Sequence, residues 1–164
     1  MRANPKSEPC LESECGDWGY RLTVTIDGLV IGKLHAVIQS ETSVLLSDVK
    51  VERAVVTRRI PLRRLLSKVW PGIGTRSFRG RGIGTRMLDH FLGWCRAGGR
   101  NEVYGSVVQP DLDDTPGLLD WYRRHGFTIH PPDNRCLANA VWMVVWRNNV
   151  PHPSGASMTV GDSY

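Results

Sequence analysis

From Tyr20 the chain alternates apolar and polar positions through YRLTVTI, and Asp27-Gly28 follows as a hairpin turn signal. LVIGKLHAVIQ and TSVLLSDVKVER then read as two further strands, which predicts an antiparallel meander. The period changes at GTRMLDHFLGWCRAGG, where Ile83, Met87, Phe91, Trp94 and Cys95 recur at helical spacing and Gly98-Gly99 supplies a stop. EVYGSVV is a strand. DDTPGLLDWYRRHG predicts a second helix with Thr115 as N-cap, Pro116 at its first position and Gly126 past its end. FTIH and AVWMVVWR close as strands. The order, three strands, helix, strand, helix, two strands, predicts an α+β domain. Its mixed sheet has antiparallel N-terminal strands, two crossover helices and a C-terminal strand pair.

The segments outside this pattern divide the chain further. Residues 1–17 are polar without an apolar period, which predicts a flexible arm before a domain spanning 18–147. Residues 148–164, rich in Pro, Ser and Gly, predict a disordered tail. Residues 54–78 are basic and broken by prolines, with a short amphipathic stretch around 62–70.

Composition narrows the class. A chain of 164 residues with 41% hydrophobic content supports one domain with a core. No apolar run approaches the ~20 residues of a membrane helix, and MRANPKSEPC lacks the apolar segment of a signal peptide. The expectation is a cytoplasmic protein without membrane contact. Four scattered cysteines do not make a disulfide framework, and Cys10 and Cys15 form a C-x4-C pair with no second pair nearby, so no metal site is expected.

Charge is uneven. Between Lys50 and Arg86 eleven Lys/Arg face a single acidic residue, Glu52, although the whole chain carries only +5. Such a stretch faces a polyanion or forms a solvated face. One reading is therefore a nucleic-acid-binding module without chemistry, although no nucleic-acid motif accompanies the charge.

The stretch SFRGRGIGTRML, residues 77–88, joins three glycines and three arginines to the start of the amphipathic helix. Bare backbone N–H groups at a helix start bind phosphate, and glycine lets the ligand approach. The alternative is a tight turn alone. A dinucleotide fingerprint would need glycine at position 85 or 87, where Thr85 and Met87 stand, and no P-loop run exists. What remains is Arg79-x-x-Gly82-x-Gly84.

This motif resembles the acyl-coenzyme A pyrophosphate loop of the GCN5-related N-acetyltransferases, the GNAT superfamily. LSDVKV before it is similar to that family's fourth strand, and WYRRHGF to its tyrosine motif at a helix end. The resemblance covers residues 20–147. It implies transfer of an acetyl group from acetyl-CoA to a primary amine of a small molecule or peptide. Arg79, Gly80, Arg81, Gly82, Ile83, Gly84 and Thr85 would hold the pyrophosphate. Val51 would pair with the pantetheine arm and polarise the thioester carbonyl. Tyr122 would be the general acid, an ordinary tyrosine pKa of about 10 suiting a thiol of comparable acidity; its other reading is a core aromatic beside Leu118 and Leu119.

The base is less defined. Leu45 stands where many members carry glutamate. Asp48 and Glu52 are the nearest carboxylates, His125 is close to Tyr122 in sequence, and water alone is a further route. Asp48 is the candidate. Two departures concern the acceptor: the family's first strand and two helices have no counterpart in residues 1–17, and residues 54–78 are inserted where members have few. Thr115 also replaces a frequent asparagine. The insertion is a candidate lid over coenzyme A phosphates or an anionic acceptor, and an RNA-bound or ribosomal amine is among the acceptors left open.

Overall fold

Each alternating run becomes a strand because its apolar side chains share one face that a helix can cover. The computed structural model describes residues 8–52, 55–56, 75–76 and 80–148. Its strands are β1 (Cys10–Cys15), β2 (Gly19–Ile26), β3 (Leu29–Ile38), β4 (Ser43–Val51), β5 (Val55–Val56), β6 (Thr75–Arg76), β7 (Glu102–Val108), β8 (Phe127–His130) and β9 (Ala140–Arg147). The helices are α1 (Ile83–Ala97), α2 (Gln109–Asp114) and α3 (Leu118–Arg124). Seven strands form one sheet in the order β1-β2-β3-β4-β7-β9-β8, and β5 pairs with β6 apart from it. All neighbours in the sheet are antiparallel except β4 and β7, whose parallel pairing requires a crossover. Helix α1 lies within that crossover.

The β2–β3 turn is tight because Asp27 and Gly28 both take positive φ, 52° and 74°. Helix α1 ends as the double glycine predicts. Gly99 is left-handed at φ 68°, the Arg100 N–H donates to the Cys95 carbonyl, and the Gly99 N–H donates to that of Arg96. Its buried face, Ile83, Met87, Leu88, Phe91, Leu92 and Cys95, packs on Leu22, Val24, Ile31 and Leu34 of the meander. A Cβ at Gly32 would stand 2.9 Å from the Met87 sulfur, so glycine there lets the helix lie close to β3.

Two expectations are corrected. Within the arm expected over residues 1–17, Cys10–Cys15 is a strand paired along its length with β2. The family's first strand therefore has a counterpart, but residues 16–18 turn directly into β2 with no helix between. Burial alternation is lost in β1 because its outer edge and most of its side chains face water, which hid it from the pattern. Cys10 and Cys15, five positions apart in extended chain, are separated by about 16 Å and do not converge on one ion.

The second helix also starts differently. Thr115 caps the C-terminus of α2 rather than opening a helix, and Gly117, at φ 84°, precedes α3. The Asp111 carboxylate accepts from the Val108 N–H at 3.2 Å and starts α2 immediately after β7. Most of the basic insertion, residues 54–78, and all but the first residue of the tail lie outside the described residues.

Candidate active site

The parallel contact of β4 and β7 is short: Ser43, Val44 and Leu45 lie opposite Glu102, Val103 and Tyr104, and the strands then part. Two sequence features mark the parting point. Ser47 is a bulge, since His35 pairs with Asp48 but Ala36 pairs with Leu46. Gly105 passes so near β4 that a Cβ on it would sit 3.0 Å from the Leu46 carbonyl oxygen. Past these residues a cavity of about 860 Å³ opens between the strands.

The cavity gathers residues far apart in sequence. Its walls include residues 46–51 of β4, Gly80, Gly82, Ile83, Gly84 and Thr85 at the start of α1, and Tyr122 of α3. Val51, the last residue of β4, pairs with Gly32, and its Cγ2 lies 3.8 Å from where a Gly84 Cβ would be. Strand end and glycine turn are thus side by side. Gly80 and Gly82 adopt positive φ, 76° and 73°, with nothing among the described residues within 4 Å of a Cβ built on them. Among the described residues no side chain caps α1, and its first N–H groups, without intrahelical partners, carry the positive end of the dipole. Arg81 is exposed beside this turn. Arg79 lies outside the described residues.

Side-chain roles at the helix start differ from a uniform phosphate loop. Ile83 is a core residue, so only its backbone is available to a ligand. The Thr85 hydroxyl accepts from the Trp121 indole N–H at 3.2 Å and contacts His125 Nε2 at 3.4 Å. His125 Nδ1 in turn lies 3.4 Å from an Asp89 carboxylate oxygen. These contacts brace α1 against α3. His125 does not line the cavity.

Tyr122 is both a core aromatic and a residue of the cavity wall. Its ring is 8% exposed and packs edge-on against Phe127, centroids 5.2 Å apart, and Trp121, 4.9 Å. Yet it lines the cavity, and its hydroxyl has no hydrogen-bond partner among the described residues. Nor is that hydroxyl sealed off, since among the described residues the only buried side-chain polar atom lacking a partner is Arg100 Nε. Burial pushes the Tyr122 pKa up, and the Asp111 and Asp48 carboxylates push it the same way. The match to a thiol expected of an ordinary tyrosine therefore does not hold in the free protein: Tyr122 keeps its proton throughout the physiological range.

Asp48, just past the bulge, is exposed at the cavity wall, without a hydrogen bond or ion pair among the described residues. Glu52, the other carboxylate near the end of β4, lies 3.8 Å from Lys50 Nζ. Sequence reasoning missed Asp111, Ser106 and Leu137 on the same walls. Asp111 falls in the short QPDL stretch between the strand EVYGSVV and the run read as a helix, to which no element was assigned. Leu137 arrives from the β8–β9 loop, where its N–H donates to Ser106 Oγ at 3.0 Å. Arg135 holds that loop over the second face of the sheet, pairing with Glu102 at 2.8 Å and Asp133 at 2.9 Å and standing 4.7 Å above the Tyr104 ring.

Neither a protein-family model nor a curated protein sequence matches the chain. Solved structures do match in shape. A PaiA N-acetyltransferase from Thermoplasma acidophilum, solved in complex with coenzyme A, aligns at TM-score 0.52 and 13% identity over 78% of this chain and 60% of its own. The chain thus spans less than two thirds of that protein. A GNAT family acetyltransferase from Elizabethkingia anophelis with acetyl-CoA bound aligns at 0.52 and 12% identity, over 79% of this chain and 76% of its own. A putative acyl-CoA N-acyltransferase from Klebsiella pneumoniae aligns at 0.55 and 11%, over 79% and 72%. With its strand order, its splayed central strands and its glycine-led crossover helix, the chain has the fold of the GNAT acetyltransferases.

Proposed function

We propose that this protein is an acetyl-CoA-dependent N-acetyltransferase acting on a primary amine. One observation carries the reading: a cleft between parted parallel strands has a glycine-flanked helix start at one end and a buried tyrosine on its wall, and among the described residues neither the helix start has a side-chain cap nor the tyrosine hydroxyl a hydrogen-bond partner. The cleft suits coenzyme A in kind. Residues 46–50 have no β7 partner among the described residues and offer backbone groups to an extended pantetheine amide chain. The turn at 80–85 offers N–H groups to a pyrophosphate. Structures of the same fold were solved with coenzyme A and acetyl-CoA bound, which supports the same cosubstrate here.

When bound, acetyl-CoA supplies an activated acyl thioester. The chain's own contribution is to bind, orient and stabilise. Backbone N–H groups around the Ser47 bulge and along β4 polarise the acyl oxygen where charge develops. A free amine nitrogen forms the new C–N bond, the C–S bond breaks, the nitrogen's excess proton passes to water, and sulfur leaves as thiolate. A thiol titrates near 8.5, so full proton transfer from a tyrosine raised above its usual range is uphill. Tyr122 acts by donating a hydrogen bond to the departing sulfur, whose proton is completed from solvent.

The test is direct. Acetyl-CoA should bind by calorimetry and, at a hundred times its dissociation constant, raise stability by about 2.7 kcal/mol. Thiol release should then depend on added amine. Absence of binding at millimolar acetyl-CoA refutes the reading.

A further inference from the structure

Behind the glycine turn, four polar side chains connect the start of α1 to the end of α3. Thr85 is the last residue of α1 before its first intrahelical bond, in which the Arg86 N–H donates to the Gly82 carbonyl at 3.0 Å. Its own N–H therefore belongs to the donors at the helix start, and the residue lines the cavity. The Thr85 hydroxyl lies 3.2 Å from the Trp121 indole nitrogen and 3.4 Å from His125 Nε2. On the far side of the imidazole, Nδ1 is 3.4 Å from an Asp89 carboxylate oxygen, and the His125 side chain is only 13% exposed.

Proton counting decides what each group can give. An indole N–H only donates, so the Thr85 oxygen accepts from Trp121. A bare Nδ1 lone pair would oppose the Asp89 charge, so the imidazole carries a proton on Nδ1. Neutral His125 then turns a bare Nε2 to Thr85 and accepts the single hydroxyl proton. When His125 is protonated, Nε2 donates instead. The Thr85 oxygen accepts from both rings, and its own proton is released to a partner on the cavity side. Asp89 is the charged group of α1 that faces the ring, and Arg86 is exposed on the same helix. On α3, Arg123 pairs with Asp120 at 2.6 Å and Arg124 lines the cavity.

We propose that His125 is a positioning residue for the diphosphate of bound coenzyme A: its protonated form turns the Thr85 hydroxyl from the imidazole to the phosphate. This rests on the acetyltransferase reading above. A phosphate oxygen that accepts the Thr85 proton leaves Nε2 facing an oxygen with no hydrogen between them, until the ring takes a proton from solvent. Ligand binding and His125 protonation therefore favour each other. The protonated form prevails at lower pH, so coenzyme A binds more tightly there, and this contribution is lost as pH rises through the titration.

Calorimetry with coenzyme A at pH 6 and pH 8 spans the range in which histidines change charge. The ligand's terminal phosphate titrates near pH 6 as well. That effect is common to all variants, so the readout is the ratio of dissociation constants, pH 8 over pH 6, compared between proteins. The ratio should be about fivefold larger in the unmutated protein than in His125→Gln or Thr85→Val, the scale of one charge-assisted hydrogen bond. Thr85→Ser, which keeps the hydroxyl, should retain the unmutated ratio. In the unmutated protein, the His125 ring followed by NMR should titrate at higher pH when coenzyme A is saturating. A titration that coenzyme A leaves unmoved, or an undiminished ratio in His125→Gln, overturns the proposal and leaves the acetyl-CoA reading standing. If coenzyme A binds at neither pH, both fall.

Discussion

Replacing Tyr122 by phenylalanine separates packing from chemistry with one oxygen atom. The ring contacts to Phe127 and Trp121 are retained. Because the hydroxyl has no partner among the described residues, its removal strands no donor or acceptor. Folding stability should therefore change by less than about 0.5 kcal/mol, within the range of benign substitutions. Turnover should behave differently. On the proposed mechanism the substitution removes a hydrogen bond to the leaving sulfur that strengthens in the transition state, and rates should fall about 10²-fold, the lower end for a lost proton donor. That corresponds to about 2.7 kcal/mol of barrier. The lower end applies because a hydrogen bond, not a completed proton transfer, is lost. The assay is single-turnover acetylation with preloaded acetyl-CoA, so that product release does not mask chemistry, paired with urea denaturation of both proteins. An unchanged single-turnover rate refutes the role of the hydroxyl. A stability loss above about 1 kcal/mol refutes the reading that it is unpartnered.

Gly105→Ala should cost about 1–3 kcal/mol in chemical denaturation, because its Cβ meets a backbone oxygen of β4 that cannot rotate away; full stability would show that the strands part more easily than their approach implies. Gly82→Glu should keep the fold at a cost of about 1–2 kcal/mol for its positive φ, since none of the described residues crowds the site, but should weaken acetyl-CoA binding by calorimetry at least tenfold. Cys95 is fully buried and its thiol is pushed up to about 12 by burial. At pH 8 iodoacetamide should label the exposed Cys10 and Cys15 and leave Cys95 protected until the chain unfolds, as peptide mass mapping would show. The unfolded thiol ionises near pH 9 while the folded one keeps its proton. Stability is thus unaffected by this group below pH 9 and falls by about 1.4 kcal/mol per pH unit from there toward 12.

Local patterns carried most of the architecture because their causes are local. Alternation in YRLTVTI and the helical spacing of Ile83, Met87 and Phe91 reflect which side chains must share a buried face, and every strand from β2 to β4 and from β7 to β9 follows from such runs. Gly82 and Gly126 lie just outside helices with φ of 73° and 84°, as glycine at helix ends suggests. Strand β1 was not legible, because an edge strand exposed to water carries little alternation, and its pairing depends on β2 being present. Helix α2 was not legible and the start of α3 was misplaced, because Thr115-Pro116 is a good helix start, while the actual geometry turns on Asp111 accepting from the Val108 N–H and on a left-handed Gly117.

The amino-acid order by itself determined the mixed sheet, the crossover helix, the glycine turn that opens it and the tyrosine near the end of the last helix, since each is written within about fifteen consecutive residues. Only the tertiary structure decided where β4 and β7 part, that Val51 ends beside Gly84, that Ile83 and Thr85 spend their side chains on packing and bracing, and that Asp111 joins Asp48 around Tyr122. Those outcomes arise from contacts across 30 to 80 positions of chain, and no local period records them. Desolvation, which also depends on the assembled fold, turned a tyrosine of ordinary acidity into a group that holds its proton.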